Sequence, residues 1–91
     1  MSAITNIQNY YERLVTDEIR NHVKHEGSNV DSDYLSDVAC VALNRLPARY
    51  IRHEVDMAFY MTQDELLNTS NEVKHAVKEA FSFVAERRRQ S

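Results

Sequence analysis

The sequence predicts an all-α fold: a small bundle of about four main helices with an irregular extended segment after Pro47. The 91 residues contain one glycine and one proline, and so few turn-forming residues favour long helices over many short strands. Apolar residues also recur at helical spacing along several segments. Hydrophobic residues make up 43% of the chain and charged residues 27%, which is ordinary for a globular protein. We therefore expect a single domain over residues 1–91.

The first helix is predicted over residues 4–25. Thr5 or Asn6 can cap its start, and Gly27 suits the position just past its end, where left-handed geometry is common. Residues 26–30 would form the connecting loop. The residues that keep helical spacing are Ile4, Ile7, Tyr11, Leu14, Val15, Ile19, His22 and Val23.

The second helix is predicted from Asp33 to Arg45, with Asp31 or Ser32 as its cap. One continuous apolar stripe runs along it, formed by Leu35, Val38, Ala39, Ala42, Leu43 and Leu46. Cys40 and Val41 widen this stripe, so we expect most of the helix circumference, including Cys40, to be buried.

Pro47 should end this helix, because proline lacks an N–H and disfavours helical geometry in the residue before it. Leu46 is therefore expected to be extended. Residues 48–55 alternate weakly like a strand, but one short segment without a partner is a poor strand. We interpret it as extended structure that turns into a short helical piece over residues 56–61.

Two capping-box patterns follow, one starting at Thr62 and one at Thr69. The first predicts a short helix that ends near Asn68. The second predicts the last helix, whose core stripe is Val73, Ala76, Val77, Ala80, Phe81 and Val84.

Cationic and aromatic residues collect where the chain leaves the second helix. Arginine pairs bidentately with phosphate, matches the acceptors of a guanine edge and stacks on bases, and tyrosine adds a stacking face. Asp37, or Asp56, could accept from the donor edge of guanine. In the alternative interpretation, the arginines pair with the acidic residues of segment 26–37, across the domain or across a dimer, and spacing alone favours that alternative. The candidate ligand-binding residues are Asp37, Asn44, Arg45, Arg49, Tyr50, Arg52 and His53.

Other kinds of site find little support in the sequence. It has no nucleophile elbow, glycine-rich phosphate loop or zinc-ligand spacing, so we expect no catalytic residues, no metal and no cofactor. Cys40 is interpreted as a small core residue and the histidines as surface or capping groups. The arginines at 87–89 are interpreted as a solvated helix end. A net charge of −3 argues against general nucleic-acid binding.

The run from Ala42 to Tyr50, ALNRLPARY, resembles the ALN-x-LPP-x-Y signature of the late-competence ComFB-like family. The continuation over residues 51–60 is similar to its proteobacterial branch. Ala48 replaces the second proline of the pattern, which loosens the loop but keeps the stop at Pro47. The resemblance covers most of the chain. It implies an all-α, often homodimeric, non-enzymatic protein, and members of the family have been proposed as receptors for cyclic dinucleotides.

Two functional hypotheses result. The first is a cytoplasmic receptor for a cyclic dinucleotide, with cyclic di-GMP favoured, that signals through an unidentified protein partner. The second is a competence- or motility-related adaptor without a small-molecule ligand. The cytoplasm fits a chain with a single cysteine and no apolar run of membrane-spanning length, for which we expect no membrane insertion. Tyr10 and Phe83 lie off the core stripes and suggest a self-association face, so we expect a homodimer.

Overall fold

The computed structural model describes residues 7–26, 31–53 and 61–90. Within these ranges the chain forms β1 (Gln8–Asn9), α1 (Tyr10–Glu26), α2 (Ser32–Arg45), β2 (Tyr50–Ile51) and α3 (Gln63–Gln90). The three helices pack against one another, with α3 in contact with both α1 and α2. The all-α class is confirmed, but the described residues hold three main helices where about four were predicted.

The difference arises at Thr69, where the predicted boundary between two helices is wrong. The first capping box does form, because the Thr62 amide donates to Glu65 Oε1 over 3.2 Å and the Glu65 amide donates to Thr62 Oγ1 over 3.1 Å. The helix then continues to Gln90 without a break. Thr69 is buried inside it, and the amides that follow already have carbonyl partners one turn earlier, so none is left to cap.

The start of α1 also differs from the prediction. The helix begins at Tyr10, not at residue 4, and Ile7 lies outside it, largely exposed. Asn9 caps this start: its Oδ1 accepts from the Tyr11 amide over 3.2 Å, and its own amide donates to Glu12 Oε2 over 3.2 Å. The predicted caps, Thr5 and Asn6, lie outside the described residues.

Gln8 and Asn9 are extended and pair antiparallel with Ile51 and Tyr50. The segment after Pro47 is therefore extended, as predicted, but it has the strand partner that the sequence analysis missed. The partner was missed because residues 4–9 were assigned to the first helix.

The predicted N-cap of α2 is confirmed at Asp31, whose Oδ1 accepts from the Tyr34 amide over 2.8 Å. The helix itself runs from Ser32 to Arg45. Gly27 with the rest of the predicted loop over 27–30, and most of the predicted helical piece over 56–61, lie outside the described residues.

The core lies where the three helices meet. Its fully buried members are small, which lets the helix axes approach closely: Val15, Val38, Ala42, Val77 and Ala80. Burying a valine side chain is worth about 1.5–3 kcal/mol, so these positions hold α2 firmly in place. The remaining buried residues of this cluster are Tyr11, Ile19, Leu46, Val73, Ala76 and Val84.

The far side of α2 contradicts one expectation. Cys40 is exposed and Val41 only half-buried, so α2 is not buried over most of its circumference. Within the described residues, α1 and α3 pack against the side of α2 that carries Val38 and Ala42. Among the described helices, none combines the length and the apolar character needed to cross a membrane.

Candidate functional site

The exit from α2 is set by Leu46 and Pro47. Leu46 is extended, with φ −96° and ψ 143°, as the following proline predicted. Its N–H donates to the Leu43 carbonyl over 3.4 Å, which closes the last turn. Leu46 is buried, so the point at which the chain changes direction is anchored in the core.

The backbone after Pro47 is held by the start of α1. The Arg49 amide donates to Asn9 Oδ1 over 3.0 Å, and the Arg49 carbonyl accepts from the Tyr10 amide over 2.6 Å. Tyr50 pairs with Asn9 in the short sheet. Asn9 therefore caps α1 and positions Arg49 at the same time, a role that the sequence analysis did not assign to it.

The side chains on this held backbone point to solvent. Tyr50 is 65% exposed, and Arg49, Arg52 and His53 are exposed as well. We call Arg49, Tyr50, Arg52 and His53 the strand-side group. Across the described ranges, no carboxylate pairs with the guanidinium of Arg49 or Arg52. The group thus offers two cations and an aromatic ring on a backbone fixed by hydrogen bonds.

Arg45 lies elsewhere, against α3. Its guanidinium is 3.4 Å from Glu79 Oε1, and its Cζ is 5.4 Å from the ring centroid of Phe83. Arg87, one turn after Phe83, has its Cζ 5.7 Å from the same centroid. Two arginines therefore flank one partly exposed phenylalanine.

Asp37 joins this region from the preceding turns of α2. Its Oδ2 is 3.4 Å from the Arg88 guanidinium, and Arg88 Cζ lies 4.6 Å from the ring centroid of Tyr34. A groove of about 420 Å³ runs between the two helices at this point. We call it the Phe83 groove; it is lined by Asp37, Cys40, Val41, Phe83, Val84, Arg87 and Arg88.

The structure thus divides the seven predicted ligand-binding residues into separate locations. Arg49, Tyr50, Arg52 and His53 stay together beside β1. Asp37 lines the Phe83 groove and Arg45 lies at its Phe83 side, while Asn44 is exposed on the last turn of α2. The alternative base acceptor, Asp56, lies outside the described residues.

Within one chain, the described residues show no pairing of Arg45, Arg49 or Arg52 with segment 26–37; pairing across a dimer stays a prediction. Arg45 takes Glu79 as its partner, and Asp37 takes Arg88. Both pairs are largely exposed, so each contributes only about 0–1 kcal/mol to stability.

Three residues of this region were not among the predicted ligand-binding residues: Phe83, Arg87 and Arg88. Arg87, Arg88 and Arg89 are exposed in the last turn of α3, as the interpretation of a solvated helix end predicted. Arg87 and Arg88 also contact aromatic rings, whereas Arg89 pairs with the neighbouring Glu86 at 2.7 Å. The i, i+4 spacing of Phe83 and Arg87 was a usable signal. The approach of Asp37 and Arg45 from α2 had no local signal.

Cys40 and the histidines do not assemble a metal site in the described ranges, where no three His, Cys, Asp or Glu side chains come together. The interpretation of Cys40 as a core residue is wrong, since it borders the groove. His22 is half-buried and stacks on Phe81 with centroids 4.0 Å apart, whereas His25 bonds the Asn21 carbonyl near the end of α1.

A second cavity, of about 550 Å³, lies between α1 and the first half of α3. Tyr10 lines it together with Leu14, Leu66 and Val73. The neighbouring Leu67 is 61% exposed. The two surplus aromatics, Tyr10 and Phe83, therefore belong to different surfaces and do not form one face.

The comparison with known families agrees with the resemblance seen at ALNRLPARY. The family model described as late competence development protein ComFB matches residues 8–88, and the chain belongs to this family. The matched region includes the three helices and two strands of the described residues, except for the last two residues of α3. A comparison with curated proteins finds no match.

Proposed function

We propose that this member of the ComFB family is a non-enzymatic, cytoplasmic receptor for a cyclic dinucleotide, with cyclic di-GMP as its ligand, and that it signals through a protein partner. The strand-side group carries the proposal. Arg49 and Arg52 present guanidinium groups without carboxylate partners in the described ranges, and Tyr50 presents a largely exposed ring beside them.

The chemistry of these side chains suits a cyclic dinucleotide. A guanidinium donates two parallel hydrogen bonds to a phosphate, and it also pairs with the O6 and N7 acceptors of guanine. A tyrosine ring stacks on a base. Phosphate and base are both present in a cyclic dinucleotide, so Arg49, Arg52 and Tyr50 provide contacts for each.

Preorganisation strengthens this interpretation. The Arg49 backbone is bonded on both its N–H and its C=O, to Asn9 and Tyr10. A segment held in this way loses less conformational entropy on binding than a free loop, so more of the interaction energy remains as affinity.

The experiment that tests the receptor function is a calorimetric titration of the protein with cyclic di-GMP, cyclic di-AMP and the linear dinucleotide pGpG. We expect saturable binding of cyclic di-GMP, and weaker binding of the linear form because it must be ordered on binding. If no cyclic dinucleotide gives a heat of binding, a mobility shift or retention on a filter, the receptor function is excluded. The adaptor function then takes its place.

The adaptor alternative rests on a different observation, the apolar surface near the start of α3. Leu66 and Leu67 are 37% and 61% exposed, and Leu66 borders the cavity lined by Tyr10. Exposed leucines next to an aromatic ring are typical of protein interfaces. In the receptor we assign this surface to the homodimer contact, whereas in the adaptor it is the surface that binds the protein partner.

A further inference from the structure

We infer that the Phe83 groove is the base-recognition part of the ligand site and that it selects guanine over adenine. This inference rests on the proposed function, because it assigns a place and a specificity to the same ligand. Under this inference, Phe83, Asp37 and Arg88 contact the dinucleotide in addition to the residues of the strand-side group.

The first argument is the composition of the groove. Its apolar wall is formed by Val41, Phe83 and Val84, and its polar wall by Asp37 and Arg88. Phe83 is 41% exposed, so part of its ring is available to a planar ligand. An aromatic face between apolar and charged walls is the usual way in which proteins hold a single nucleobase.

The second argument concerns charge. Arg45 and Arg87 lie 5.4 and 5.7 Å from the Phe83 centroid, so two cations stand beside the stacking surface. At these distances neither guanidinium stacks closely on the Phe83 ring. A base that stacks on the ring therefore displaces one of the two guanidinium groups. The displaced guanidinium remains next to the bound nucleotide, where it can pair with a phosphate.

The third argument concerns the Asp37–Arg88 pair, whose atoms are 3.4 Å apart at the groove wall. A carboxylate only accepts hydrogen bonds and a guanidinium only donates them. Guanine presents its O6 acceptor beside its N1–H and N2 donors on a single edge, so it can satisfy the neighbouring guanidinium and carboxylate together. Adenine lacks the N2 amino group, so it offers Asp37 no such donor. It also carries an amino donor where guanine carries O6, and this donor opposes the N–H donors of Arg88.

The connection to the strand-side group is short. Arg45 and Arg49 are four residues apart, so their Cα atoms lie within about 14 Å of each other. The inference requires that one dinucleotide spans this separation, with a base in the groove and a phosphate at the strand-side group. The buried Leu46 between them fixes the relative placement of the two halves.

The test is a titration of cyclic di-GMP and cyclic di-AMP into the parent, Phe83→Ala and Asp37→Asn. Loss of one stacked base predicts roughly 5- to 150-fold weaker binding of cyclic di-GMP by Phe83→Ala. Asp37→Asn should weaken cyclic di-GMP by a similar factor and leave cyclic di-AMP nearly unchanged. Arg89→Ala is the matched control and should bind like the parent, because Arg89 lies on the same turn of α3 as Arg88 but pairs with Glu86.

A second measurement does not depend on weakening the protein. The chain has no tryptophan, so Phe83→Trp introduces a single fluorescent reporter into the groove. Stacking of guanine on it should quench the emission on addition of cyclic di-GMP, and unchanged emission at saturation would overturn the inference.

The outcomes separate this inference from the proposed function. If Arg49→Ala weakens cyclic di-GMP while Phe83→Ala and Asp37→Asn bind like the parent, the receptor function stands and the groove assignment is overturned. Equal affinity of the parent for the guanine and adenine dinucleotides overturns guanine selection. If the parent binds neither ligand, both the function and the inference fall.

Discussion

The backbone N–H of Tyr10 donates a 2.6 Å hydrogen bond to the carbonyl oxygen of Arg49. This bond joins the first residue of α1 to the segment that leaves α2, across 39 positions of the chain. With the Asn9 side chain it makes the placement of Arg49 depend on the N-terminus of α1. Helix capping and ligand placement are therefore coupled in this fold.

Asn9→Ala tests this coupling. The change removes the oxygen that accepts from both Tyr11 and Arg49. Loss of a cap costs about 0.5–2 kcal/mol, so urea unfolding should show destabilisation of about that size. Binding of cyclic di-GMP should weaken as well, since Arg49 is no longer held. Asn9→Asp keeps acceptor oxygens and serves as the control; if Asn9→Ala matched it in both stability and affinity, the coupling would be refuted.

Pro47→Ala tests the stop after α2. Circular dichroism should show nearly unchanged helicity, because α2 is anchored by Val38 and Ala42 in the core. Cyclic di-GMP should nevertheless bind more weakly, since Leu46 is no longer restricted to extended geometry and the exit loses its fixed direction. Parent-like affinity in this variant would show that the proline does not preorganise the site.

The oligomeric state is the subject of a third prediction. Light scattering at micromolar concentration should give about twice the protomer mass of 10.6 kDa. Leu67→Glu places a charge on the exposed apolar surface at the start of α3 and should yield a monomer, while Asn68→Glu on the next position should remain dimeric. A parent protein that scatters as a monomer would contradict the dimer, and a dimeric Leu67→Glu would move the interface elsewhere.

The elements that the sequence predicted well are those with local causes. The α2 stripe, the Asp31 cap, the stop before Pro47 and the Thr62–Glu65 capping box all depend on residues within a few positions of one another, and all are present. The buried stripe of α3 also follows its predicted spacing from Val73 to Val84.

The elements that were predicted wrongly depend on residues that are distant from them in the sequence. Gln8 and Asn9 form a strand because Ile51 and Tyr50 lie beside them, and the helical spacing of Ile4 and Ile7 concealed this. The capping pattern at Thr69 is locally sound, but α3 had already begun at Gln63.

The candidate site shows the same limit. The strand-side group lies within residues 49–53, and its four residues were all part of the larger cluster predicted from the sequence. The Phe83 groove joins Asp37 of α2 to Arg88 of α3, 51 residues later, and its members could be brought together only by the packing of the two helices. The exposure of Cys40 likewise follows from which side of α2 the other helices occupy.

The most direct measurement of the central claim is an equilibrium titration of cyclic di-GMP into the parent and into arginine variants of the strand-side group, with melting temperatures recorded alongside. A bidentate, charge-assisted contact is worth about 1.5–3 kcal/mol, so Arg49→Ala and Arg52→Ala should bind roughly 10- to 150-fold more weakly.

Two further variants complete the series. Arg49→Lys should not restore full affinity, because lysine keeps the charge without the planar fork. Arg20→Ala should bind like the parent, since Arg20 pairs with Asp17 on the exposed surface of α1. Parent-like binding by Arg49→Ala, Arg49→Lys and Arg52→Ala, or no binding of cyclic di-GMP by the parent, would contradict the account.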